Sequence, residues 1–98
     1  MRVVYTRRSQ ADLEEIFDRG LQWGRPLADR VERRIRRECD ALARFPELGV
    51  KTDFEDIRRL PIVRYPLTIY YRIDVLAPQL EILRVVWSKS IRNLDQVP

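Results

Sequence analysis

Arg58-Arg59-Leu60-Pro61-Ile62-Val63-Arg64-Tyr65-Pro66-Leu67-Thr68-Ile69-Tyr70-Tyr71-Arg72-Ile73 is the stretch that decides the fold. A second run of the same kind follows, Leu80-Glu81-Ile82-Leu83-Arg84-Val85-Val86-Trp87, after the short link Val75-Leu76-Ala77-Pro78-Gln79. β-Branched and aromatic residues alternating with polar ones over this length predict antiparallel strands joined by a hairpin. Pro61 and Pro66 have no N–H for a ladder, so they belong at an edge, a bulge or a strand end. Side chains two apart share a face. Arg58 and Arg64 therefore lie on one face of their strand and Arg59 on the other. Leu67, Ile69, Tyr71 and Ile73 form an apolar face, which turns Thr68, Tyr70 and Arg72 outward. Guanidinium groups fixed on strands are suited to gripping carboxylates or phosphates.

Working back towards the N-terminus, Val3-Val4-Tyr5 reads as a short strand. Ser9 is placed to cap a helix, with Asp12 three residues on to reach back. Leu13, Ile16, Phe17 and Leu21 mark one helix face. Gly20 and Gly24 weaken the end of that helix, and Pro26 opens the next. The second helix carries Leu27, Val31, Ile35, Cys39 and Leu42 on one stripe and charges elsewhere. Phe45-Pro46-Glu47-Leu48-Gly49 stops it, and residues 50–56 read as an acidic loop. Strands are expected at about 57–63, 66–74 and 80–87. The order is β-α-α-β-β-β. This is an α+β domain with an antiparallel helical hairpin on one face of an antiparallel sheet. Its expected core contains Leu13, Ile16, Phe17, Val31, Ile35, Leu42, Ile69, Tyr71 and Leu83. Trp23 is expected to pack. Trp87 either caps the core or offers a contact.

Ninety-eight residues predict one domain, 1–98. One cysteine leaves no intrachain disulfide, and its place on the apolar stripe predicts an inert thiol. No signal peptide or membrane-length apolar run is evident, so a cytoplasmic protein is expected. Residues 1–56 hold 12 basic and 12 acidic side chains, whereas residues 57–98 hold 7 and 3. The whole net charge of +4 thus falls on the C-terminal part and predicts an anionic partner there. Histidine is absent, which excludes Ser-His and Cys-His mechanisms and removes the commonest zinc ligand. No cofactor or metal is expected.

Several motifs in order carry a family resemblance. They are Ala11-Asp12-Leu13-x-x-Ile16, the Gly24-x-Pro26-x-Ala28 link and the Leu42-x-x-x-Pro46-x-x-Gly49 exit. They continue through Arg59-Leu60-Pro61-x-x-Arg64-Tyr65-Pro66-x-x-Ile69-Tyr70-Tyr71-Arg72 to Glu81-Ile82-Leu83-Arg84-Val85. Together they resemble the RelE/ParE superfamily of bacterial toxins, and within it the ParE branch. The resemblance implies a toxin of a type II toxin–antitoxin module, assembled with an antitoxin into a hetero-oligomer. RelE-like members cut messenger RNA on the ribosome. ParE-like members inhibit DNA gyrase and are not nucleases.

The residues separate the two branches. RNA cleavage needs a base, an acid and cations around the phosphate. Thr68 stands where the RelE-type catalytic arginine aligns, and a neutral hydroxyl supplies no positive charge. Asp53, Glu55 and Asp56 occupy a loop that is basic in RelE-like enzymes, and the tail has neither Tyr nor His. No catalytic residue is assigned. The expected antitoxin contacts are Arg59, Arg64, Tyr70, Arg72 and Arg84, meeting an acidic amphipathic C-terminal segment. The expected target contacts are Trp87, Lys89 and Arg92. Gyrase is the target implied; a ribosome-dependent endoribonuclease and a non-toxic antitoxin-binding protein are the alternatives.

Overall fold

The computed structural model describes residues 1–88. Its elements are β1 (Arg2–Tyr5), α1 (Arg7–Leu21), α2 (Arg25–Arg44), β2 (Val50–Lys51), β3 (Ile57–Ile62), β4 (Leu67–Asp74) and β5 (Gln79–Trp87). The five strands form one sheet in the order β1-β5-β4-β3-β2. Three pairings are antiparallel, but β1 runs parallel to β5, so the sheet is mixed rather than wholly antiparallel. The reason is topological. The helical hairpin carries the chain away from β1, and β5 arrives beside it in the same direction. The expected acidic loop contributes the two-residue strand β2.

Thr6, not Ser9, caps α1: its Oγ1 accepts the Ser9 N–H at 3.1 Å. Ser9 is fully buried and its hydroxyl donates to the Thr6 carbonyl. α1 and α2 meet closely at Gly20, where a methyl group would stand 3.1 Å from the Ala28 Cα. Gly24 turns the chain at φ 106°, a conformation that glycine adopts without steric cost, and Pro26 follows in the first turn of α2.

The core lies between the hairpin and one sheet face. Leu13, Ile16, Val31, Ile35, Cys39 and Leu42 meet Ile62, Leu67, Ile69, Tyr71, Leu80, Ile82 and Val85. Two expected members are elsewhere. Phe17 is only half-buried. Leu83 leaves the core because β5 carries an extra residue: Tyr70 opposes Arg84 while Tyr71 opposes Ile82. This bulge resets the alternation, so Ile82 and Val85 point inward, three residues apart. Trp23 does not pack; it is 75% exposed at the hairpin turn. Pro61 lies in β3 beyond the two residues that β2 covers, on an open edge as expected. Among the described residues, no helix is long and apolar enough to cross a membrane.

Candidate functional site: the outer sheet face

The strand register sets the site. Arg59 on β3, Tyr70 on β4 and Arg84 on β5 are direct cross-strand partners, which places them in one row across three strands. Neighbouring strands are about 4.8 Å apart, so the row is about 10 Å wide. Tyr71 and Ile69 on either side of Tyr70 are fully buried against the helices. Arg59 and Tyr70 therefore face away from the hairpin, while Arg84 at the bulge reaches round the strand to α1. Arg72, one step along on β4, shares this outer face and opposes Glu81.

Two of the arginines are already held. Arg72 donates to Glu81 Oε1 from Nη2 at 2.6 Å and from Nε at 3.0 Å. Arg84 donates from Nε to Asp12 Oδ2 at 2.8 Å and from Nη2 to Oδ1 at 3.3 Å. The same Asp12 Oδ2 accepts the Val85 backbone N–H at 2.9 Å. Asp12 is thus no helix cap. Its buried carboxylate pins α1 to the strand beside the bulge and fixes the Arg84 guanidinium in a forked geometry. Arg59 has no carboxylate partner among the described residues, so its charge is available to a ligand.

Beside the row runs a groove of about 580 Å³, lined by α1, β5 and the loop before β3. Tyr70, Leu83, Val86 and Trp87 give it apolar walls, with Arg8 and Arg84 among its lining cations. Phe54, 73% exposed, completes the wall. Its loop is held by Thr52, whose Oγ1 accepts the Phe54 N–H at 3.1 Å and lies 2.9 Å from the Ile57 carbonyl. β1 pairs with β5 only as far as Ile82, so the later part of β5 lacks a β-strand neighbour on that side. An apolar groove edged by guanidinium groups suits an extended or helical segment carrying both apolar and acidic side chains.

The other expected contacts distribute differently. Arg64 is not on a strand face: it lies exposed in the Val63–Pro66 turn at φ 82°. Pro66 restricts the residue before it and ends the ladder early. Thr68 is 4% exposed, with its hydroxyl 3.3 Å from Ser88 Oγ. Trp87 is half-buried against the core beneath Arg19, whose guanidinium carbon lies 5.2 Å from the ring centroid. Its Nε1 is buried with no acceptor among the described residues. Lys89 and Arg92 lie outside the described residues.

The sequence model described as the ParE toxin of type II toxin–antitoxin systems matches residues 3–90. The chain belongs to the ParE toxin family. Several solved structures share its fold. The chromosomal ParDE system of P. aeruginosa matches at TM-score 0.78 and 23% identity, over 89% of this chain and 95% of that one. The RelBE2 complex of Mycobacterium tuberculosis matches at TM-score 0.65 and 22% identity, over 88% and 95%. The isolated RelE toxin of E. coli matches at TM-score 0.67 and 9% identity, over 95% and 97%. No curated protein matches the chain.

For this ParE-family chain, sequence reasoning brought together Arg59, Tyr70, Arg72 and Arg84 and missed Asp12 and Phe54. A signal for Asp12 was present: it precedes Ile16 by four residues and so falls on the buried stripe of α1. An acid on such a stripe calls for a buried partner. Phe54 had no comparable signal, because a lone aromatic in a polar loop has no periodicity to read.

Proposed function

We propose that this ParE-family toxin inhibits DNA gyrase by binding it, without catalysing a reaction, and that an antitoxin neutralises it by occupying the outer sheet face. The observation that carries the antitoxin reading is the Arg59–Tyr70–Arg84 row beside an apolar groove. A partner carboxylate meets Arg59 first. At Arg72 and Arg84 it must share the guanidinium with Glu81 or Asp12. Arg59→Ala is therefore expected to accelerate dissociation of the antitoxin most. Tyr70→Ala should follow, and Arg72→Ala should have a smaller effect. Surface plasmon resonance on purified complexes reads this order. Wild-type dissociation rates for Arg59→Ala and Tyr70→Ala would place the antitoxin elsewhere.

The gyrase reading is supported by chemistry that the site does not favour. Thr68 is buried and engaged with Ser88, at the position where RNA cleavage would call for a cation. Asp53, Glu55 and Asp56 are exposed near the groove mouth and would repel a message backbone. Variants at Lys89 and Arg92 are expected to lower toxicity while leaving antitoxin binding intact, whereas a Trp87 variant, which also alters the groove wall, should lower both. The test is to express the toxin alone, assay gyrase supercoiling and map messenger RNA ends in parallel. Lost supercoiling without codon-positioned cuts is expected. Cuts with normal supercoiling would establish the ribosome-dependent endoribonuclease instead.

A further inference from the structure

The surface of α2 opposite its buried stripe carries more cation than its ion pairs consume. Three pairs lie along the helix: Arg25 with Asp29, Arg34 with Glu38 and Arg36 with Glu32. Arg30, Arg33, Arg37 and Arg44 are exposed and have no carboxylate partner among the described residues. Their spacing is not scattered. Arg30, Arg37 and Arg44 are seven residues apart, two turns each, and drift only about 20° per step. Arg33 sits between the first two. The line is about 21 Å long at 1.5 Å per residue. At its upper end Arg30, Arg33, Arg34, Arg37 and Tyr65 enclose a shallow depression of about 290 Å³.

We propose that this ridge of α2 binds the phosphate backbone of duplex DNA. Three arguments select that occupant. The ridge has no apolar anchor between its arginines, whereas the centre of a protein–protein interface is apolar and built on aromatic anchors. Tyr65 is the one aromatic side chain lining the depression, whereas single-stranded nucleic acid is gripped by a series of stacking platforms. A helix about 10–12 Å across matches the major groove of B-form DNA, about 12 Å wide, and not the deep, narrow one of A-form RNA. The ridge shares no residue with the Arg59–Tyr70–Arg84 row or its groove, so the inference does not depend on the gyrase or antitoxin readings.

The test uses the purified full chain and a fluorescein-labelled 20-base-pair DNA duplex, with anisotropy measured over a range of salt concentrations. The wild type is expected to bind with an affinity that falls steeply with salt, by a log–log slope of about −0.9 per phosphate contact. The triple variant Arg30→Gln, Arg33→Gln, Arg37→Gln should bind at least tenfold more weakly at low salt, with a visibly shallower slope. Asp40→Asn, which removes the exposed acid three residues beyond Arg37, should bind more tightly. A matched triple variant, Arg2→Gln, Arg7→Gln, Lys51→Gln, removes the same charge elsewhere and should retain most binding. Glutamine is a good helix former, and circular dichroism checks the fold; single Arg33→Gln gives the same reading should the triple variant lose helix. Equal losses in both triple variants would overturn the proposal, as would no duplex binding or tighter binding to RNA. Gyrase is absent from the assay, so failure here is distinct from failure of the supercoiling test.

Discussion

At the scale of single residues, Gly49 is where one methyl group would be felt furthest. A Cβ there would stand 2.6 Å from the Tyr71 hydroxyl and 2.8 Å from the Arg59 carbonyl. The Tyr71 hydroxyl sits between two backbone groups, accepting from Gly49 N–H at 2.9 Å and donating to Pro46 O at 2.6 Å. Arg58 adds a bond to the Gly49 carbonyl at 2.8 Å. Gly49→Ala should therefore cost about 1–3 kcal/mol by overpacking. Tyr71→Phe should cost about 1–3 kcal/mol by stranding two polar groups. Because the lost hydroxyl also makes room for the methyl group, the double variant should fall short of the sum. Urea unfolding of the four proteins measures this; strict additivity would separate the two residues. Gly49 was legible in the sequence as the end of a helix exit. Its contact with a strand twenty-two residues away was not, because no periodicity links a loop glycine to a distant phenol.

At the scale of elements, helices were easier to read than strand faces. Four of the five expected stripe residues of α2, Val31, Ile35, Cys39 and Leu42, are buried, while Leu27 is half-buried and Ala28 takes the buried place beside it. Ile35→Ala should cost about 2–5 kcal/mol, the usual penalty for an emptied core site, and a loss under about 1 kcal/mol would mean that the hairpin packs otherwise. β5 was harder. In Leu80-Glu81-Ile82-Leu83-Arg84-Val85-Val86 the paired apolar residues allow two phases, and the bulge uses both. Asp12 is what holds the shift in place. Asp12→Asn leaves one fewer acceptor for Arg84 and Val85 and should cost about 1–3 kcal/mol. It should also loosen the Arg84 guanidinium, so antitoxin dissociation should quicken along with the fall in stability. Unchanged values of both would show that the bulge stands without its carboxylate. Arg64 was misplaced for a related reason: Val63–Pro66 continues the strand's residue types through what is a turn.

At the scale of the whole molecule, buried acids make the fold sensitive to alkali. Burial pushes the Cys39 thiol from its ordinary 9.0 up to about 11. Burial also raises the phenols of Tyr71 and Tyr5 above their ordinary 10.0. Each raised group favours the fold fully below its unfolded value, and that advantage disappears as pH climbs through the folded one. Stability should hold to about pH 9, decline from 9 to about 11 as Cys39 is drawn into ionisation, and keep falling as the phenols follow. Urea midpoints across this range measure it; a midpoint that is flat to pH 11 would contradict the buried positions of Cys39 and Tyr71. At neutral pH the Cys39 thiol should stay unreactive to alkylating reagents until the protein unfolds.

The parallel pairing of β1 with β5 also governs when the toxin comes into being. β5 lies inside the sheet, between the first strand and β4, yet it is the last described strand to be synthesised. Arg2 finds its neighbour at Gln79, so a nascent chain halted before that point leaves its opening strand unpaired and its hairpin without a floor. Products that stop there cannot assemble the Arg59–Tyr70–Arg84 row, because its second arginine has not yet been made. One strand thus completes both the middle of the sheet and the row on its outer face, so the row cannot form on a chain whose sheet is still open.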